Sequence, residues 1–144
     1  MSEPLVLELQ VKPLDFLAAG ETATHFKETL KSLGLPPDIC RKAAIVVYEA
    51  EMNIVIHGGG GVMCLQVEED KVTIIAKDKG PGIEDLELAM KEGYSSAPDF
   101  IRELGFGAGM GLPNIKKNSD ELYIDTAPGK GTKLRAVIYL DKRR

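Results

Sequence analysis

Two polar side chains lie one helical turn apart in an otherwise apolar stretch. Glu49 and Asn53 are four residues apart in RKAAIVVYEAEMNIVIHG, where the apolar spacing predicts a helix, so both point to the same side. The Asn53 amide oxygen suits Mg²⁺, which takes few protein ligands beside waters and phosphate oxygens, and Glu49 could orient or deprotonate a nucleophile. A solvent-facing glutamate and an asparagine near a helix end would show the same spacing, so the pair needs support from other motifs.

A carboxylate at the end of a predicted strand forms the second candidate. Asp78 closes the strand KVTIIAKD, and Gly80 and Gly82 follow it. Because these glycines open space beside the carboxylate, it could accept a hydrogen bond from an exocyclic amine such as that of adenine. An ordinary turn explains the same residues equally well when they are taken alone.

A run of alternating glycines before a predicted helix is the third candidate. In GFGAGMGLPNIKK, glycine occupies positions 105, 107, 109 and 111. Backbone N–H groups in such a run can face an anion, so we expect a phosphate site, although the pattern is neither a P-loop nor a Rossmann turn. Nearby cations that could neutralise phosphate charge are Arg102 and Lys116 or Lys117, each of which also suits a solvated surface.

The segment from Tyr94 to Met110 is predicted to be a lid over the phosphate site. Its glycines and small residues offer little apolar area to offset the ordering cost of ~1–2 kcal/mol per residue. We expect a lid that is mobile when empty and that gains hydrogen-exchange protection when its phosphate-bearing ligand binds.

These candidates require a framework that brings them together. The predicted strands are Leu5–Val11, VMCLQVE, KVTIIAKD, ELYIDTAP and TKLRAVIYL. Helices are predicted from about Asp15 to Leu33, from Asp38 to the glycines at 58–61, and around EDLELAMKEG and LPNIKKN. Because the strands come in pairs, the predicted class is α+β: a two-layer sandwich whose mixed, mostly antiparallel sheet carries helices on one face.

Length and composition narrow the alternatives. With 144 residues, the chain fits a single domain spanning 1–144 that buries a core without disulfides. The net charge of −4 argues against nucleic acid as a partner, although the part from Ile115 onward is basic and suits either a solvated end or a docking patch. No apolar run approaches the ~20 residues of a membrane span and no secretion signal is visible, so we expect no membrane contact and a cytoplasmic location.

The order E-x-x-x-N, D-x-G-x-G, G-x-G-x-G, K-G-T resembles the Bergerat-fold (GHKL, HATPase_c) ATP-binding domains of gyrase, heat-shock chaperone ATPases and histidine kinases. The resemblance covers nearly the whole chain. The small size, the helix ending in NIVIHG, and the segments DKGPGIEDLELAMKEGYSS and LGFGAGMGLPNIKK are most similar to the bacterial anti-sigma factor serine/threonine kinases, in particular their switch kinases.

The resemblance implies a role for each matching position. Glu49 matches the general base, Asn53 the Mg²⁺ ligand and Asp78 the adenine-reading aspartate. The other matching positions enclose the nucleotide: the adenine-pocket glycines Gly80 and Gly82, the lid glycines Gly107, Gly109 and Gly111, the lid arginine Arg102, and Thr132 near the adenine. His57 lies where these kinases commonly have a histidine, and we interpret it as a helix-terminal packing residue.

The implied function is an ATP-dependent protein serine/threonine kinase that uses ATP and Mg²⁺, releases ADP and phosphorylates a STAS-domain antagonist protein. A sigma factor, a PP2C-type phosphatase and a second copy in a homodimer are further partners compatible with the resemblance. The alternative is a non-catalytic, nucleotide-gated module that sequesters a sigma factor or activates a phosphatase; the presence of both Glu49 and Asn53 favours the kinase. A sensor histidine kinase fragment fits less well, because neither His25 nor His57 has the setting of a phosphoacceptor.

Overall fold

Helices and strands follow the periodicity of the sequence. The computed structural model describes residues 5–12, 19–57, 59–80, 82, 90–91 and 111–140, without the side chain of residue 57. The elements are, in chain order, β1 (Leu5–Val11), α1 (Glu21–Ser32), α2 (Pro37–His57), β2 (Gly61–Val67), β3 (Lys71–Asp78), α3 (Gly111–Lys117), β4 (Glu121–Thr126) and β5 (Thr132–Tyr139).

Five strands form one sheet in the order β1-β2-β3-β5-β4. Each of the four described pairings is antiparallel, which confirms the α+β class; no parallel pair occurs among the described strands. Strand β3 has the predicted bounds, and β2 and β4 differ from their predicted bounds by one or two residues.

One face of the sheet carries the core. Because side chains alternate between the two faces of a strand, the paired residues Leu65, Ile74 and Ala136 share a face, and all three are buried. Helix α2 covers this face with an apolar stripe at helical spacing: Ala43, Val46, Val47, Ala50 and Ile54. Among the described helices, none is long and apolar enough to cross a membrane.

Helix α1 begins later than predicted. Asp15, the predicted start, lies outside the described residues, and the observed helix begins at Glu21. Gly20 precedes it with φ of 97°, a left-handed conformation that a continuous helix from Asp15 would not contain. The prediction of one helix from Asp15 to Leu33 was therefore wrong at its start, and the predicted helix around EDLELAMKEG lies almost wholly outside the described residues.

A buried carboxylate from α2 caps the start of α1. Glu51, which is 2% exposed, accepts hydrogen bonds from the backbone N–H groups of Gly20, Thr22 and Ala23 at 3.1, 3.3 and 3.2 Å. These are among the donors that a helix leaves unpaired at its N-terminus, and a carboxylate there also complements the helix dipole. The cap is tertiary, so local sequence patterns did not indicate it.

Candidate functional site

Strand ends converge at one edge of the helix-covered face. The register pairs Gly61 with Asp78, Asp78 with Thr132, and Thr132 with Thr126. Asp78 is two residues beyond Ala76, which is buried in the core, so this row of residues belongs to the same face. The structure thus brings Asp78 and Thr132, which are 54 residues apart in the chain, side by side.

Two backbone donors fix the Asp78 carboxylate. Its Oδ1 accepts from the N–H of Gly80 at 2.9 Å and from the N–H of Thr132 at 3.2 Å. The first bond closes a turn at the end of β3, and the second ties that turn to the start of β5. The carboxylate is therefore held in one orientation at the edge of the sheet, where it can accept a hydrogen bond from an amine.

Two glycines allow the loops around Asp78 to pack backbone against backbone. Gly82 and Gly131 have φ of 79° and 75°. A Cβ on Gly82 would collide with the carbonyl oxygen of Ala127, and a Cβ on Gly131 would collide with that of Asp78. Larger residues at either position would push these loops apart, so Gly82 contributes here through backbone approach.

The hydroxyl of Thr132 has a partner that sequence analysis missed. Its Oγ1 lies 2.8 Å from the Oγ1 of Thr126, and the Thr126 hydroxyl also donates to the carbonyl of Gly131 at 3.2 Å. The two threonines face each other across β4 and β5, so their contact depends on strand register.

A second group forms where α2 meets the start of α3. A Cβ placed on Gly111 would lie 3.4 Å from Asn53 Oδ1 and 3.5 Å from Glu49 Oε1. Glycine at this position therefore leaves room directly beside both side chains, which are half-buried. Asn114, one turn further along α3, donates from Nδ2 to Glu49 Oε2 at 3.1 Å. Asn114 was not among the predicted site residues, although a polar residue between the apolar residues Pro113 and Ile115 was a signal for it.

The donor set around Asn53 suits Mg²⁺ held together with phosphate. The described residues contain no group of three or more His, Cys, Asp or Glu side chains that could hold a metal ion. A single amide oxygen beside a residue without a side chain fits Mg²⁺, because that ion keeps several waters and takes further oxygens from a nucleotide.

Glu49 also lines a cleft on the surface of the molecule. Its volume is about 750 Å³, and it lies between α1 and α2, lined by residues that include Ala23, Arg41, Tyr48 and Glu49. Neither Asp78 nor Thr132 lines this cleft. Glu49 therefore borders an open surface as well as the space beside Gly111.

The remaining predicted residues are not joined to this cluster by the structure. Lys116 is exposed and lines a separate cleft of about 380 Å³ with Met90 and Asp120, while Asn114 of the same helix faces Glu49. Arg102, Gly107, Gly109 and the predicted lid lie outside the described residues.

Side chains on the opposite face of the sheet have shifted pKa values. The hydroxyls of Tyr139 and Tyr123 donate to Glu121 at 2.6 and 2.9 Å, and these bonds hold the pKa of Glu121 below its usual value while raising the pKa of both tyrosines. Arg135 lies 4.3 Å from the centre of the Tyr123 ring. On the same face, burial raises the pKa of the Cys64 thiol.

The fold and the polar residues around Asp78 and Glu49 agree with a match between this sequence and a known family. The sequence matches the family described as the histidine kinase-like ATPase domain over residues 17–138, and the chain belongs to that family. It is therefore a nucleotide-binding domain of the GHKL type, as the motifs indicated.

Two curated relatives narrow the family further. The chain is 35% identical over 130 residues to an anti-sigma F factor of Clostridium acetobutylicum, with 84% of this chain and 87% of the relative covered. It is 29% identical, also over 130 residues, to the serine/threonine-protein kinase RsbT of Bacillus subtilis, with 88% and 90% covered. Within the GHKL domains, the chain belongs with the anti-sigma factors and their related serine/threonine kinases.

Among solved structures, the chain resembles one in the SiaB–SiaC complex from Pseudomonas aeruginosa. The TM-score is 0.62 at 17% identity, with 93% of this chain and 88% of that chain covered. At this identity the likeness supports the fold.

Proposed function

We propose that this chain is an ATP-dependent protein serine/threonine kinase of the anti-sigma regulatory type. Its substrate would be a serine or threonine of a STAS-domain antagonist protein in a cytoplasmic partner-switching pathway. The observation that carries the proposal is the arrangement of Glu49 and Asn53, each of which has a side-chain oxygen beside Gly111. The name of the relative RsbT supports the same activity.

Two groups of residues would bind ATP, one at the adenine and one at the phosphates. Asp78, held by Gly80 and Thr132, would accept a hydrogen bond from the adenine amino group. Asn53 would contribute one oxygen to Mg²⁺, and ATP bound with that ion would supply the phosphoryl group. Gly111, with Gly107 and Gly109 of the predicted lid, would leave space for the phosphates, and Arg102 is the proposed cation, whereas Lys116 lies on the other side of α3.

Glu49 would act on the acceptor hydroxyl. The cleft between α1 and α2 gives a protein substrate access to this carboxylate from the side of Tyr48 and Arg41. With the hydroxyl within hydrogen-bond reach, Glu49 would accept its proton or align its oxygen with the γ-phosphorus.

Two substitutions test the kinase mechanism. Glu49→Ala should keep Mg-ATP binding and lower phosphoryl transfer by the ~10²–10⁴-fold typical of a lost general base. Asn53→Ala should weaken the Mg²⁺-dependent part of binding. Calorimetry with and without Mg²⁺, together with transfer of labelled phosphate to the antagonist protein, separates the two effects. Glu8→Ala, which removes an exposed glutamate on β1, is the control.

A second candidate function has support from the anti-sigma F factor relative. In that case the chain would be a non-catalytic module that binds a sigma factor, or activates a PP2C-type phosphatase, when loaded with nucleotide. Wild-type transfer rates in both Glu49→Ala and Asn53→Ala would contradict the kinase mechanism, and nucleotide-dependent capture of a sigma factor or phosphatase would then favour the module.

A further inference from the structure

Helix α3 supplies a hydrogen bond to the candidate base. Asn114 Nδ2 lies 3.1 Å from Glu49 Oε2, and the two residues are 65 positions apart in the chain. An amide nitrogen of asparagine is only a donor and an ionised carboxylate oxygen is only an acceptor, so the direction of this bond is fixed once the side-chain amide is oriented as shown.

The bond decides where the other carboxylate oxygen lies. The terminal torsion of glutamate is broad, so an unrestrained carboxylate samples many orientations. With Oε2 held by Asn114, Oε1 is placed 3.5 Å from the position of a Cβ on Gly111, and Asn53 Oδ1 lies 3.4 Å from the same point. One oxygen of Glu49 therefore faces the donor, and the other faces Gly111 and Asn53, where the missing side chain of Gly111 leaves room for about one methyl group.

The same face of α3 carries both the glycine beside Asn53 and the donor to Glu49. Gly111 and Asn114 are three residues apart on α3, so they lie on the same side of the helix, towards α2. At the end of α3, the side-chain amide of Asn118 donates to the carbonyl of Asn114 at 2.9 Å. The position of α3 against α2 therefore determines both how close Gly111 comes to Asn53 and how Glu49 is oriented.

We propose that Asn114 is a positioning residue for Glu49, an inference that rests on the proposed kinase function. In the reaction, the acceptor hydroxyl oxygen forms a bond to the γ-phosphorus, the bond from that phosphorus to the ADP oxygen breaks, and the hydroxyl proton goes to Glu49 Oε1. Asn114 takes no part in bond making. It holds Oε1 on the side of Gly111 and Asn53, where that proton is released.

The test uses the purified chain with Mg-ATP and measures ADP formation, with water as the acceptor. Asn114→Ala should lower kcat roughly 10-fold, less than the ~10²–10⁴-fold expected for loss of the base, with the KM and Kd for ATP within about twofold of wild type. Asn114→Asp has nearly the same shape but replaces the donor with a second carboxylate, so it should lose at least as much activity. Gln10→Ala, which removes an exposed side-chain amide on β1, is the control.

A double-mutant cycle shows whether Asn114 acts through Glu49. In a Glu49→Ala background, Asn114→Ala should cause no further loss of kcat. Wild-type activity in Asn114→Asp, a full additional loss in the double variant, or a change confined to KM would each overturn the inference.

The contact has a readout that needs no activity. The NMR signals of the Asn114 side-chain amide should shift when Glu49 is replaced by alanine. If Glu49→Ala leaves this signal unchanged, the role of Asn114 is refuted while the proposed kinase function is not. A wild-type chain that transfers phosphate to neither water nor the antagonist protein overturns the proposed function, and the role of Asn114 in it, even where the NMR contact is present.

Discussion

Replacement of Glu51 should loosen the attachment of α1 to α2 and lower the free energy of unfolding. The carboxylate is almost fully buried and receives three backbone N–H groups, from Gly20, Thr22 and Ala23. Glu51→Ala removes all three acceptor contacts at once. Because Thr22 and Ala23 are themselves buried, water has poor access to the donors that remain.

The expected magnitude follows from these contacts. A hydrogen bond to a charged group contributes ~1.5–3 kcal/mol, and a buried donor left unpaired costs ~1–3 kcal/mol. The three contacts do not add fully, because the half-buried N–H of Gly20 can reach water and because removing the charge also removes its desolvation cost. We therefore expect Glu51→Ala to lower the free energy of unfolding by ~2–4 kcal/mol, or the Tm by roughly 6–15 °C.

Urea unfolding followed by circular dichroism, without nucleotide, measures this effect. The midpoint should fall while the slope stays constant, since a changed slope would indicate a different unfolded or native state. Glu51→Gln keeps one acceptor oxygen and should lie between wild type and Glu51→Ala. Glu28→Ala, at an exposed position on α1, should stay within ~0.5 kcal/mol. A loss below ~0.5 kcal/mol for Glu51→Ala would refute the view that this carboxylate secures α1.

Two further predictions concern the sheet. Asp78→Asn can keep the bonds to Gly80 and Thr132 but loses the charge, so it should weaken ATP binding by at least about tenfold and leave the fold intact. The wild type should bind ATP more tightly than GTP, and equal affinities for the two nucleotides in calorimetry would contradict the role of Asp78. Glu121→Ala should make Tyr123 and Tyr139 ionise at lower pH in an ultraviolet titration, with Asp125→Ala as control. The pKa values of both tyrosines are raised from 10.0, so their contribution to the free energy of unfolding is present below pH 10.0 and is lost as the pH rises through their pKa values in the folded state. The pKa of Glu121 is lowered from 4.5, so its contribution to the free energy of unfolding is present above pH 4.5 and is lost as the pH falls through its pKa in the folded state. A tyrosine titration that Glu121→Ala leaves unchanged would disprove the coupling between these groups.

The strands could be predicted because their signals are local. Alternating side chains and the acidic turn between β2 and β3 predicted the bounds of β3 correctly. The pairing of Asp78 with Thr132 was not predicted, because it joins strands whose paired residues are 54 positions apart. The start of α1 could not be predicted in the same way. Its cap is Glu51, which lies 28 residues beyond Ala23, and no pattern within a helical turn of Gly20 encodes that contact.

The site shows the same division. The types and spacing of Glu49 and Asn53 were visible as one face of a helix, and Asp78 was marked by the glycines that follow it. The partners that orient these groups were not visible: Asn114 reaches Glu49 from another helix, and Thr126 reaches Thr132 across a strand pair. Motifs identify residues that meet a ligand, whereas the residues that hold them depend on packing between elements.

Helix α2 carries two carboxylates that are two residues apart, the proposed base Glu49 and the capping residue Glu51. Residues at that spacing project about 200° apart around a helix, so Glu49 and Glu51 cannot serve the same neighbour. Glu51 is buried against the start of α1, and Glu49 is half-buried against α3 beside Gly111. A shift of α2 along its axis or about it would therefore disturb both contacts, so the cap on α1 also fixes the position from which Glu49 meets α3. Loss of Glu51 should consequently impair Glu49 chemistry as well as stability, whereas loss of Asn114 should impair the chemistry alone.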